Sequence, residues 1–305
     1  MKKIITTLLF GVVLFSCLPD TSVDPLSELT KQQQEDQIQK SEIDISDEEF
    51  YALIQAIPTP LQSTSLMQAV GVEYQSSFIL DTDESKKANS WFSQSVKLGI
   101  FGADMAYSNV YGETRKSIQY LTSIRGLADK LKIGQFFDVA SIKQMVEQKD
   151  NLDELINISQ MNFQKMNDYL QKQNRGKVSV AMILGGWVET LYLSAKVATL
   201  EKNNEALFEN VSEQKFSLET IQLLLGLYAS DKYFKIFKEE FQPLFTAYEN
   251  VEVIFTQGEI TYSEDAEGNM VAEDSSTSEI VFTKKDLEKI TKAVSNLRKK
   301  LIEIE

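Results

Sequence analysis

Two stretches of this 305-residue chain are apolar almost all the way round a helical cylinder, and no other feature limits its fold so strongly. Residues 88–111 carry Trp91, Phe92, Val96, Leu98, Ile100, Phe101, Met105, Tyr107 and Val110, and residues 178–200 are apolar on nearly every side. A helix without a polar face lies at the centre of a fold or in a membrane. In the second stretch Glu189 interrupts well before the ~20 apolar residues that a membrane span needs. Both stretches are therefore expected at the middle of a helical bundle. Both also hold glycines inside the helix, Gly99 with Gly102 and Gly185 with Gly186. Each costs about 1 kcal/mol against alanine, which close approach of a neighbouring backbone offsets.

The rest of the chain surrounds this pair with helical periods. Ser46 and Glu49 form a capping box before Phe50, Leu53, Ile54 and Ile57. Pro58-Thr59-Pro60 stops that helix and starts the next, which Gly71 ends. Asp81 or Asp83 caps a long helix over about 84–111, closed by Gly112. Further helices are predicted at 113–132, 135–148, 152–174, 177–201, 217–229 and 232–249, with short connections between them. The aromatic run Tyr233, Phe234, Phe237, Phe241, Phe245 and Tyr248 has the spacing of a core face. Val251 to Phe282 changes to β-branched, alternating segments around the turn signal Glu267-Gly268-Asn269, with Glu273 to Ser278 in the loop. Thr283 caps a last helix whose Leu287, Ile290, Val294, Leu297, Leu301 and Ile304 form a narrow heptad seam, read as packing on the bundle or as a docking surface over 287–304. The expected fold is mostly α: an antiparallel multi-helix bundle of about nine helices, with a small C-terminal β-hairpin near 251–283 and a closing helix.

Each central helix places an acid just after its glycines and a tyrosine three residues further on, in Gly102-Ala-Asp104-Met-Ala-Tyr107 and Gly186-Trp-Val-Glu189-Thr-Leu-Tyr192. That spacing puts acid and ring on one face. An acid in an apolar helix is rarely left unpaired. One reading satisfies Asp104 and Glu189 internally, through tyrosine hydroxyls, an arginine such as Arg115 or Arg125, or water. The other gathers Asp104, Tyr107, Tyr111, Glu189 and Tyr192 around an internal pocket for a cation, an amine or a polar headgroup. A carboxylate-dependent hydrolase would rest on the two acids alone. Asp81-Thr-Asp83-Glu84-Ser85 lacks the central glycine and distal glutamate of a calcium loop and reads as a helix cap. Arg298-Lys299-Lys300 is placed to complement a helix C-terminus.

Composition narrows the function classes. The chain has no histidine, which excludes His-based triads and His-ligated zinc. Its one cysteine allows neither an intrachain disulfide nor a cysteine metal cluster. No phosphate loop or nucleotide fingerprint is present; no metal and no cofactor is expected. The net charge of −14 opposes a phosphate backbone, so nucleic acid is not an expected partner.

The cysteine has a different use. Lys2 and Lys3 precede an apolar run, Ile4 to Phe15, and Leu14-Phe15-Ser16-Cys17 fits a bacterial lipobox. Residues 1–16 read as a lipoprotein signal peptide and Cys17 as the acylated N-terminus of the mature chain, stably anchored by more than one acyl chain. Residues 17–45 are polar and read as a tether spanning roughly 30 Å as a flexible coil, ahead of a helical domain over 46–305.

Pro58-Thr-Pro-Leu61, Leu98-Gly-Ile-Phe-Gly-Ala-Asp-Met-Ala-Tyr107, Gly185-Gly-Trp-Val-Glu-Thr-Leu-Tyr192 and Ile290 to Leu301 resemble a group of Bacteroidetes lipoproteins over roughly residues 50–302. The resemblance implies a helical body in a Gram-negative envelope. Surface-displayed lipoproteins of that phylum often carry an acidic stretch directly after the cysteine. Here Leu18-Pro19 come before Asp20, which favours an outer-membrane anchor facing the periplasm. The functional expectation is a lipid-anchored, non-catalytic module that binds or scaffolds another envelope component, and the alternative is a small-ligand sensor built on the Asp/Glu/Tyr pocket.

Overall fold

The computed structural model describes residues 45–137, 152–201, 204–258, 260–264, 270–274 and 277–304. The signal segment, Cys17, most of the tether and most of the 135–148 helix lie outside the described residues, as does the 267–269 turn. Nine α-helices lie among the described residues: α1 (Asp47–Gln55), α2 (Pro60–Ala69), α3 (Trp91–Val110), α4 (Thr114–Lys130), α5 (Leu152–Lys172), α6 (Gly176–Leu200), α7 (Glu205–Gly226), α8 (Lys232–Tyr248) and α9 (Lys284–Glu303). The mostly-α bundle with a closing helix is the observed architecture.

Local chemistry accounts for most boundaries. Capping boxes open α1 (Ser46 with Glu49), α2 (Thr59 with Gln62) and α9 (Thr283 with Asp286). Gly71 and Gly112 take φ of 81° and 76° after α2 and α3, the left-handed stop that glycine adopts without a Cβ penalty. The helix expected over 84–111 is two elements. Asp81 accepts from the Asp83 N–H and caps a 3-10 turn over Thr82–Lys87, and Ser90 then caps α3. At 135, a 3-10 turn over Gly134–Phe136 replaces the expected helix start. α7 begins twelve residues before the expected 217, because Asn204 caps it and its polar first half still buries Leu207 and Val211.

The centre is the pair α3 and α6, the most extensively packed two helices of the fold. α6 is long and apolar enough to cross a membrane, but 89% of its most apolar window is buried inside the bundle. Glycine sets the crossing. A Cβ on Gly99 would lie 2.0 Å from the Met182 carbonyl oxygen, and one on Gly185 would lie 2.3 Å from that of Val96. Gly102, expected on the same stripe, has nothing within 4 Å of its Cβ position and takes no part. α2, α4, α5, α7 and α9 pack around the pair. Phe92, Phe234, Phe237 and Phe241 fill the α3–α8 side, with Phe92 stacked on Tyr233. The α9 seam is core: Leu287, Ile290, Val294, Leu297 and Leu301 are buried, against α6 and α8.

The C-terminal β region is two antiparallel ladders. β1 (Glu252–Thr256) pairs with β4 (Thr277–Val281), and β2 (Ile260–Glu264) pairs with β3 (Met270–Asp274) between them. The ladders differ by one residue in register. Much of the polar stretch 273–278, expected as loop, therefore lies in strands.

Candidate functional site

The contacts of α3 and α6 centre on their glycines, with Val96 at Gly185 and Gly99 at both Met182 and Gly186, and Asp104 lies beside Glu189. The close glycine crossing thus brings the two acids together, one from each helix. Both are fully buried.

The partner of Glu189 comes from α9, 109 residues away. Arg298 Nε donates to Glu189 Oε2 at 2.5 Å and Nη2 donates to Oε1 at 2.8 Å, a bidentate pair. The same Nη2 donates to the Phe78 carbonyl at 3.1 Å, and the guanidinium lies 4.3 Å from the Tyr192 ring centroid. Asp104 Oδ2 accepts from the Leu80 N–H at 3.0 Å, whereas no donor among the described residues reaches Oδ1. Burial first, and then the charge of Glu189, push the Asp104 carboxyl well above the ordinary carboxylate range. The raised carboxyl favours the protonated form of Asp104, which can donate toward Glu189. One shared proton and one arginine make the pair compatible with the core.

The tyrosines divide into two groups. Tyr192 belongs with Arg298. Tyr107 and Tyr111 instead form a cluster with Tyr74, their centroids 5.2, 5.7 and 4.9 Å apart. Tyr107 Oη accepts from the Gln75 N–H at 3.0 Å, and the Tyr74 and Ser108 hydroxyls are 3.3 Å apart. The Tyr111 hydroxyl is buried without a hydrogen-bond partner among the described residues. The predicted site residues thus fall into two neighbouring groups, Asp104 and Glu189 with Tyr192 at Arg298, and Tyr107 with Tyr111 at Tyr74.

A common target unites them. Residues 75–80 form a non-helical stretch whose backbone polar groups need partners inside the fold. Tyr107 takes the Gln75 N–H, Arg298 supplies the Phe78 carbonyl and Asp104 takes the Leu80 N–H. Tyr120 from α4 donates to the Leu80 carbonyl at 2.5 Å. Side chains from three helices therefore fasten one irregular segment.

Neither proposed arginine partner fills that role: Arg125 pairs with Asp129 at 3.0 Å and donates to the Phe137 carbonyl. Sequence reasoning assigned Arg298 to the α9 dipole and missed Tyr120. The available signal was scarcity, since Arg298 is one of only four arginines in the chain, and arginine is the cation suited to a buried bidentate partner.

Outside this network, a surface cleft of about 370 Å³ opens between α6 and α9, walled by Tyr192, Lys196, Arg298, Lys299 and Ile302. Among the described residues no group of three or more Cys, Asp or Glu side chains is placed to hold a metal ion. Compared with family models, curated proteins and solved structures, the chain matches none.

Proposed function

We propose that this chain is a lipid-anchored, non-catalytic module of a Gram-negative envelope, anchored through Cys17 and binding another envelope protein. The observation that carries this reading is the commitment of the candidate acids to the fold. Asp104 and Glu189 are fully buried and tied to Arg298 and to segment 75–80. Beside Glu189, the place that an external cation or amine would take is filled by the protein's own guanidinium. The lipobox, the polar tether and the likeness to Bacteroidetes lipoproteins support an anchored role.

A contact surface is available on α7, where Phe216 and Leu223, two turns apart, stand 50% and 55% exposed. The test places a photo-cross-linking amino acid at either position in the full chain, expressed with its own signal in a Gram-negative host. The reading expects an adduct of one discrete mass at both sites, lost when Cys17→Ala abolishes anchoring and when the other α7 position becomes aspartate. Cross-linking that is diffuse, or indifferent to both changes, would refute it.

A further inference from the structure

The buried network uses three of the five N–H hydrogens of Arg298. Its Nε–H and both Nη2 hydrogens go to Glu189 and to the Phe78 carbonyl. The two Nη1 hydrogens have no acceptor among the described residues, although the side chain is 14% exposed and lines the cleft between α6 and α9. The guanidinium is held from behind by Glu189 and on its face by Tyr192, so little freedom is left to lose when a ligand accepts from it.

The cleft gathers further cations. Lys196 of α6 lines it, with its Nζ 5.2 Å from the Phe78 ring centroid and no carboxylate within ion-pair distance among the described residues. Lys299 of α9 lines it too, held only by an exposed pair to Glu303 at 3.8 Å. In a chain of net charge −14 this is a local reversal: three cations face Glu189 behind and Glu303 at the rim, leaving a surplus positive charge. Tyr192 and Ile302 give it apolar walls, and its volume of about 370 Å³ suits a small organic molecule.

From these features we infer that the α6–α9 cleft is a binding site for a phosphate ester. Donors approach from two helices and from the guanidinium between them, and a tetrahedral phosphate offers acceptors in more directions than a planar carboxylate. The apolar walls then meet the organic part of the ester. Two sources share this chemistry: the phosphodiester headgroup of a membrane lipid and a free phosphomonoester.

The test uses the full chain in a neutral, phosphate-free detergent. Calorimetric titration with glycerol phosphate and, separately, with dihexanoylphosphatidylglycerol separates the two sources: the free ester predicts tighter binding of the first, the lipid headgroup of the second. Lys196→Gln and Lys299→Gln should each weaken the better probe by about tenfold, the scale of one charge-assisted hydrogen bond. Glu303→Gln, which removes the rim acid, should tighten it. Lys292→Gln, which removes the same charge from an exposed α9 position outside the cleft, should leave it unchanged. All four changes fall on partly or fully exposed side chains, and unchanged circular dichroism checks that each variant folds. The inference is overturned if neither probe saturates below about 1 mM, or if Lys292→Gln weakens binding as much as the cleft variants do.

Discussion

Asp104→Asn is a sensitive probe of the buried network, because asparagine copies the protonated acid. Its Oδ1 accepts from the Leu80 N–H and its Nδ2 donates to Glu189, so the bonds of the folded state survive. What changes is the unfolded reference. In the wild type, folding draws a proton onto Asp104 in the pH window between its ordinary value of about 3.9 and its raised folded value. The folded state then binds more protons than the unfolded state, so stability falls as pH rises, by about 1.4 kcal/mol per unit while the folded acid stays protonated. Asparagine carries no such cost. Urea unfolding of wild type and variant, from pH 4.5 to 8, isolates Asp104 because all other titrations are common to both. The expected outcome is a variant at least as stable near pH 5, with an advantage that widens as pH rises, by at most about 1.4 kcal/mol per unit, until the folded acid itself titrates. A difference that stays flat with pH, or a variant less stable throughout by more than about 1 kcal/mol, would refute the shared-proton account.

Arg298→Met should cost about 3–5 kcal/mol, since it strands Glu189 in the core, and the double variant Glu189→Met/Arg298→Met should recover most of that loss in the same denaturation assay. Two glycines of one helix should behave oppositely: Gly99→Ala should lose at least ~1–3 kcal/mol, because its Cβ would strike the Met182 carbonyl. Gly102→Ala, with open space around its Cβ position, should gain up to about 1 kcal/mol from helix propensity. Tyr111→Phe removes a buried hydroxyl that has no partner among the described residues and should be neutral or stabilising by ~1 kcal/mol by thermal melting.

Much of the fold was legible because its signals are local. Ser46 with Glu49, Thr59 with Pro60, and Thr283 with Asp286 announce helix starts within four residues, and Gly71 and Gly112 announce ends. The central position of α3 and α6 followed from their missing polar faces. The break at Ala88-Asn89-Ser90 was harder to see, because Asp81 already offers a cap and no glycine or proline separates the polar turn Thr82–Lys87 from the Ser90 cap. The site was legible only as a demand. Asp104 and Glu189 in apolar helices announce that something must pair with them, but the choice of Arg298 is a fact of tertiary packing. The role of segment 75–80 was hidden for the same reason: an irregular stretch gives no periodicity, and its backbone needs appear only once the helices enclose it. The glycine crossing links the two levels. By setting how closely α3 meets α6, it brings Asp104 beside Glu189 and so determines what α9 must supply.

On the proposed reading, an N-terminus anchored through Cys17 carries a body whose buried charges serve the fold. Anchoring through Cys17 is the central claim of that reading, and the intact mass of the chain recovered from Gram-negative membranes tests it most directly. The account predicts a mature protein that begins at Cys17 and carries the added mass of a diacylglyceryl group and an amide-linked acyl chain. A chain that keeps residues 1–16, or one whose Cys17 thiol is unmodified, would contradict it.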